Sequence, residues 1–387
     1  MKKLLIILTC VLSILFVFKT PRAVSVNAEG SAIGTGAKAA YLMEAGGGEV
    51  IFASNENKRL TIASMTKIML LNVVFEAIKN GVLTYDEMIT VSETAQSMGG
   101  SQVFLQAHKE YKAADLIKSV IVSSANDASV ALAERLYGSE TEAVDKFNAL
   151  AREWGLENTL FSNVTGLPKP TQYSCAKDVA VMLDKLVSYE DYFKFSTIYT
   201  DELTHPDGKT TMLTNTNKLV RFYNGCDGGK TGYTDDAGFC LAATAKRGAL
   251  RIISVVIGES DSKTRFKDVS SSFDYCFNNF SRKILFDNEE YLSEEIKVNC
   301  GEKDFAKLKV ENTLYAFEKK GSKNEYTVSV TLDEKLKAPV KAGDAVGTIT
   351  VYKNGVEYKS CAVVAAEDID KLTPFTGFKK AAYRWVI

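Results

Sequence analysis

The sequence predicts an α+β domain followed by a small all-β domain. Three features carry that reading. Ala39 to Phe52 alternates in β fashion, and far along the chain Gly238 to Ala245 and Leu250 to Ile257 return to β-rich runs around a turn at Arg247-Gly248. The interval between them has helical periodicity, so the sheet must be completed by pairing between remote segments. After about residue 290 the texture changes to alternating or β-rich runs: Ile296 to Val298, Leu308 to Phe317, Tyr326 to Leu332, Ala345 to Tyr352, and Tyr358 to Ala365 after an Asn354-Gly355 turn. With 387 residues, 46% hydrophobic and 25% charged, the chain can bury a core in more than one domain.

In chain order, residues 1–28 read as a secretory signal peptide. Lys2-Lys3 precede the apolar run Leu4 to Phe18, and Val26-Asn27-Ala28 offers small residues for cleavage. The run is short and is followed by Lys19, Pro21 and Arg22, which argues against a spanning helix. The expected divisions thereafter are 29–290 for the α+β domain, 291–372 for the β domain and 373–387 for a tail. Within the first, Gly46-Gly47-Gly48 breaks a hairpin, and residues 84–107 read as loops and short strands. Ala113 to Tyr137 reads as helical with an interruption at Ser123 to Asp127, followed by helices over Glu142 to Trp154, Ala176 to Val187 and Val269 to Phe280.

Composition excludes several classes. Cleavage after Ala28 leaves 43 basic against 48 acidic residues and no basic stripe, so no nucleic-acid partner is expected. Seven cysteines are scattered without a Cys-x-x-Cys pair, so neither a metal site nor a cofactor is expected, and disulfides in an exported chain stay open. Of the two histidines, His205 lies in a turn and His108 between an apolar run and a helix. Neither has the context of a Ser-His-Asp triad.

Chemistry points instead to Ala63-Ser64-Met65-Thr66-Lys67 and the apolar run Ile68 to Ile78. Lys67, Leu71, Val74, Phe75 and Ile78 recur at helical spacing, which predicts a buried helix with Ser64 in its first turn. Ser64 and Lys67 then share one face. A serine needs a base to become a nucleophile, and a lysine can be that base when burial or nearby positive charge lowers its pKa. The same pattern recurs at Ser174 to Lys177 and Ser260 to Lys263, so its context decides. That context is Ser124-Ala125-Asn126, which interrupts the 113–137 helical region, and Lys230-Thr231-Gly232, which opens the C-terminal strand region after Asp227-Gly228-Gly229.

Ser-x-x-Lys, Ser-x-Asn and Lys-Thr-Gly in that order resemble the penicilloyl-serine transferases, and more narrowly the D-alanyl-D-alanine carboxypeptidase family of low-molecular-mass penicillin-binding proteins. Phe147-Asn148 with Gly155-Leu156, Phe161-Ser162-Asn163 with Gly166-Leu167, and Tyr233-Thr234 extend the likeness. The resemblance implies a β-lactamase/transpeptidase-like catalytic domain followed by a small all-β domain. It implies Ser64 as the acylated nucleophile, Lys67 as its base and Ser124 as a proton relay. Asn126 would orient Lys67 and the substrate amide, Lys230 and Thr231 would bind the terminal carboxylate, Gly232 would leave room for the substrate backbone, and the N–H groups of Ser64 and Tyr233 would hold the oxyanion. The implied partners are the peptidoglycan stem peptide and β-lactam antibiotics. Many members have Pro where Ile62 stands, and some have Arg at Thr216. A β-lactamase is the first rival, although residues 161–167 carry no Glu; a catalytically silent wall-binding protein is the second. In the tail, Phe375, Phe378, Ala382, Trp385 and Val386 fall at helical spacing, with Lys379, Lys380 and Arg384 largely opposite. That pattern suits peripheral contact with the membrane, the alternative being a short helix packed on the β domain. Asp127 and Arg251 read as candidate structural ion-pair members outside the site.

Overall fold

The computed structural model describes residues 36–333 and 335–378. The expected signal peptide and the tail beyond Phe378 lie outside the described residues. A five-stranded antiparallel sheet runs in the order Val50–Ser54, Ala39–Glu44, Leu250–Glu259, Gly238–Arg247, Cys226–Thr234. The first hairpin is thus closed by the last strands of the domain: Tyr41 pairs with Val255 and Met43 with Ile253. Side chains of successive residues point to opposite faces of a strand. Tyr41, Met43, Ile253 and Val255 accordingly enter a large core with the central helices, while Ala40, Leu42, Ile252 and Val256 pack with Val269, Phe273 and Cys276 of the helix Ser262–Asn279.

The helical middle follows the sequence pattern, with instructive departures. A 3-10 turn, Ala63–Thr66, leads into the helix Lys67–Lys79, and every side chain from Lys67 to Phe75 is buried. This is a helix enclosed on all sides rather than an amphipathic one. Helices Ala113–Ser123 and Asn126–Tyr137 are separated where expected, by Ser124 in the left-handed region (φ 62) and Ala125 extended. The closing helix starts at Ser262, not Val269. Asp261 caps it by accepting from the N–H groups of Lys263 and Thr264, and its polar first turns gave no apolar signal.

The strand Phe280–Phe286 bridges the two parts by pairing with Leu314–Lys319. Phe280 stacks on Phe317 at 4.9 Å, and Arg282 lies 3.0 Å from the buried Glu44 and over the ring of Tyr315. The expected single run Leu308 to Phe317 is two strands: Phe305–Val310 joins the six-stranded sheet beside Val356–Ala365, and Leu314–Lys319 turns away to the bridging strand. The Asn354-Gly355 hairpin joins Ala345–Lys353 to Val356–Ala365, with both turn residues at positive φ. All six cysteines among the described residues are free thiols. Residues 374–378 are helical, with Phe375 and Phe378 exposed. Among the described residues no helix is long and apolar enough to cross a membrane.

The central helix carries the core and the site alike. Leu70, fully buried within it, should cost about 2–5 kcal/mol when replaced by Ala. Chemical denaturation of the variant measures this, and a loss below 1 kcal/mol, on the order of a surface change, would contradict the packing.

Candidate active site

The 3-10 turn holds Ser64 at the mouth of the core, and the helix that follows brings Lys67 beneath it. Two glycines clamp this turn. A Cβ on Gly232 would lie 2.6 Å from the Ile62 carbonyl oxygen, and one on Gly166 (φ 84) would lie 2.0 Å from the Ala63 carbonyl oxygen. Neither site has room for a side chain. Ala63 is itself left-handed (φ 46), as is Ser124, so backbone strain flanks the serine from both contributing segments.

Lys67 Nζ lies 3.0 Å from Ser64 Oγ, 2.7 Å from Asn126 Oδ1 and 2.6 Å from the Thr165 carbonyl oxygen. Two of those partners can only accept. Asn126 is fixed in that sense because its Nδ2 donates to the Gly99 carbonyl at 2.6 Å. A neutral amine has two N–H bonds and one lone pair, so satisfying both acceptors leaves the lone pair facing the serine hydroxyl. Burial is the main force pushing the Lys67 pKa well below the ordinary lysine range, and the nearby Lys230 adds to it.

Ser64 and Ser124 line one cavity of about 360 Å³ together with Ser101, Thr216, Thr231, Gly232, Tyr233, Phe239 and Arg265. Ser124 stands in its wall without a hydrogen bond to Ser64 or Lys67. Lys230 is buried, its Nζ donating to the Thr231 carbonyl at 3.1 Å, and burial first, then Arg265, lowers its pKa to about 7. Arg265 reaches in from the helix Ser262–Asn279 and donates to the carbonyls of Gly232 and Cys240. Neither cation has an ion-pair partner among the described residues, so the cavity is a ready seat for a carboxylate. Arg265, Ser101 and the carbonyls of Thr165 and Gly99 escaped the sequence reading. Carbonyls have no sequence signature, and Arg265 joins the site only through the strand it packs under. The predicted residues Ser64, Lys67, Ser124, Asn126, Lys230, Thr231, Gly232 and Tyr233 all converge here.

The look-alike motifs do not. Ser174 is buried and bonded to Thr159, with Lys177 exposed, and Ser260 is exposed beside Asp261. Arg251 forms the expected ion pair, a bidentate contact with Asp227 at 2.8 Å. Asp127 has no ion-pair partner among the described residues. Its buried carboxylate accepts from the N–H groups of Val103, Leu105 and Ala128, tying the loop that carries Gly99 and Ser101 to the helix that carries Asn126.

This arrangement defines a class: proteins that activate a serine with a buried lysine rather than a histidine. Comparison narrows it. Residues 25–261 match the family model of D-alanyl-D-alanine carboxypeptidases, and residues 280–371 that of the C-terminal domain of penicillin-binding protein 5, so the chain belongs to the D-alanyl-D-alanine carboxypeptidase family. It is 38% identical over 350 residues to the D-alanyl-D-alanine carboxypeptidase DacF of Bacillus subtilis, covering 90% of each chain. It matches the structure of penicillin-binding protein 5 from Haemophilus influenzae with a TM-score of 0.70 at 30% identity, over 87% of this chain and 98% of that one. The ampicillin-bound penicillin-binding protein D2 of Listeria monocytogenes matches with a TM-score of 0.56 at 30% identity, over 63% and 98%.

Gly232→Ala tests the clamp on the serine. Its methyl would press on the Ile62 carbonyl and lie 3.4 Å from the Ser64 nitrogen. Acylation by penicillin should fall by about 10² or more, as when an oxyanion donor is displaced, and the thermal midpoint should fall as well because main chain must move to admit the methyl. Unaltered acylation would contradict the geometry.

Proposed function

We propose that the protein, as a serine-type D-alanyl-D-alanine carboxypeptidase, removes the terminal D-Ala of peptidoglycan stem peptides through an acyl-enzyme on Ser64. The observation that carries this is the hydrogen-bond set of Lys67, whose two acceptors leave its lone pair for the serine proton. In this reading the substrate carboxylate sits against Lys230, Thr231 and Arg265, which directs the scissile carbonyl to Ser64. Lys67 takes the proton as Oγ attacks. The N–H groups of Ser64 and Tyr233 hold the oxyanion, and Ser124 passes a proton to the departing D-Ala amine. Asn126 keeps Lys67 aimed and meets the substrate amide. Water then releases the shortened peptide. A carboxylate bound beside Lys230 favours its ammonium form and so offsets the effect of burial.

A β-lactam carries a carboxylate and a reactive carbonyl, so it enters the same cavity; the ampicillin-bound Listeria relative supports this. The wall at residues 163–166 offers the site the Thr165 carbonyl and an Asn163 side chain that is spent on the backbone of Gly166 and Leu167. Residues 163–166 carry no carboxylate of their own to activate a deacylating water, and Glu140, which reaches this wall, accepts from the Val164 N–H; this favours a persistent penicilloyl adduct over β-lactamase turnover. The division of labour is part of the proposal: residues 1–28 direct export, 29–290 catalyse, 291–372 form the accessory β domain, and 373–387 hold the protein at the outer face of the cytoplasmic membrane.

Penicillin should label Ser64 and neither Ser174 nor Ser260; peptide mapping by mass spectrometry checks this, and an adduct surviving in Ser64→Ala refutes it. Acylation should rise with pH as Lys67 loses its proton. Lys67→Arg, which keeps its charge, should acylate about 10²–10⁴-fold more slowly. Near-normal acylation by that variant removes Lys67 from the base role.

Deleting residues 375–387 should release the mature protein from anionic vesicles at low salt while peptidase activity on a small substrate persists. Failure of the full-length mature protein to bind such vesicles would end the anchor reading.

A further inference from the structure

A second cavity, of about 270 Å³, lies beside the turn that carries the nucleophile, where Ile62, Ala63 and Gly166 line it. Ile62, Leu167, Pro168 and Pro170 give it an apolar side, Thr61, Gln172 and Thr234 a polar one, and Lys169 and Asp236 also line it. Both charged side chains are exposed. Neither has an ion pair or a side-chain hydrogen bond among the described residues, whereas the adjacent Asp235 accepts from the Tyr233 hydroxyl. Two opposite charges without a side-chain partner among the described residues therefore border one partly apolar pocket beside the turn of the reacting serine, with Lys38 Nζ held on the Asp236 main-chain carbonyl at 3.3 Å.

The strand Cys226–Thr234 relates this pocket to the first. It is the edge of the sheet, with a free side toward the cleft. An extended peptide pairing antiparallel to it with its terminal carboxylate at Lys230 and Thr231 has its earlier residues toward Thr234 and Asp236, at about 3.3 Å per residue. The last two residues of the substrate are alanines, with only methyls to place. The first long side chain is that of the diamino acid preceding them, and the register brings it to the second pocket.

We propose that this pocket is a specificity subsite for that side chain. The apolar walls take its methylenes, Asp236 receives its terminal ammonium, and Lys169 receives a carboxylate on the same terminal carbon. The site would select a diamino acid that ends in both charges over one that ends in an amine alone. The proposal rests on the carboxypeptidase reading and goes beyond it by naming the residue that is read and the groups that read it.

The test uses the mature protein and three synthetic stem pentapeptides differing only at the third residue: 2,6-diaminopimelic acid, lysine and Nε-acetyl-lysine. kcat/KM for D-Ala release should fall in that order, by about three- to ten-fold per step, the range of a partly exposed charged contact. Asp236→Asn should abolish the preference for lysine over acetyl-lysine, and Lys169→Ala that for diaminopimelic acid over lysine. Both variants should acylate with penicillin at the unaltered rate, which also reports that they are folded. Equal cleavage of the three peptides by the unaltered protein, or preferences that persist in the variants, overturns the subsite alone. Release of D-Ala from none of the three, with Ser64 still acylated by penicillin, overturns the carboxypeptidase reading and the subsite with it.

Discussion

A lysine with no exposed surface and no carboxylate within ion-pair distance governs this structure. Removing an ammonium from water without a counter-ion costs several kcal/mol even after relaxation, whereas a neutral amine needs only its hydrogen bonds satisfied. The fold satisfies them with one main-chain carbonyl, at Thr165, and one side-chain amide, at Asn126. Much of the surrounding architecture keeps those two acceptors in place. Asn163 accepts from the N–H of Gly166, shaping the turn that presents Thr165. Asn126 is held through Gly99, whose loop the buried Asp127 fastens by two backbone amides. Asp127 thus supports the Lys67 contacts at one remove, and its own negative charge opposes only in part the lowering of the Lys67 pKa.

A second consequence concerns division of charge. In the proposed mechanism Lys67 is neutral and Lys230 cationic when substrate binds, although both are buried and close enough to affect one another. Arg265 lowers the pKa of Lys230 further, yet it also shares the cavity that receives the carboxylate. In that mechanism a substrate carboxylate would relieve this accumulation of positive charge as the serine loses its proton, so that binding and activation would be coupled by electrostatics. The uncharged Thr216 lines the same cavity, so Arg265 supplies its guanidinium among the described residues.

Much of this was legible in the sequence, for identifiable reasons. The helix after Lys67 was legible as a near-continuous apolar run because it is enclosed on every side, and the break at Ser124 was visible because a polar cluster interrupts an apolar run. Alternation in Ala39 to Phe52 and Leu250 to Ile257 marked the strands that do pair. The helix beginning at Ser262 was cut short because its first turns are polar and face solvent, with Asp261 as the missed signal. The run from Leu308 to Phe317 read as one strand because both halves are β-rich, and only pairing separates them. Groups that act through their main chain, Thr165 and Gly99, and a residue contributed from beneath the sheet, Arg265, could not be found without the fold.

The central claim is that Lys67 is neutral in the resting protein because burial denies it a proton. Its side-chain nitrogen can be followed directly by NMR titration of protein labelled at lysine, with the resonance assigned by its loss in Lys67→Arg. The account predicts a lysine that titrates well below the ordinary range while the exposed lysines do not. A Lys67 that stays protonated up to the pH at which exposed lysines lose their protons would contradict it.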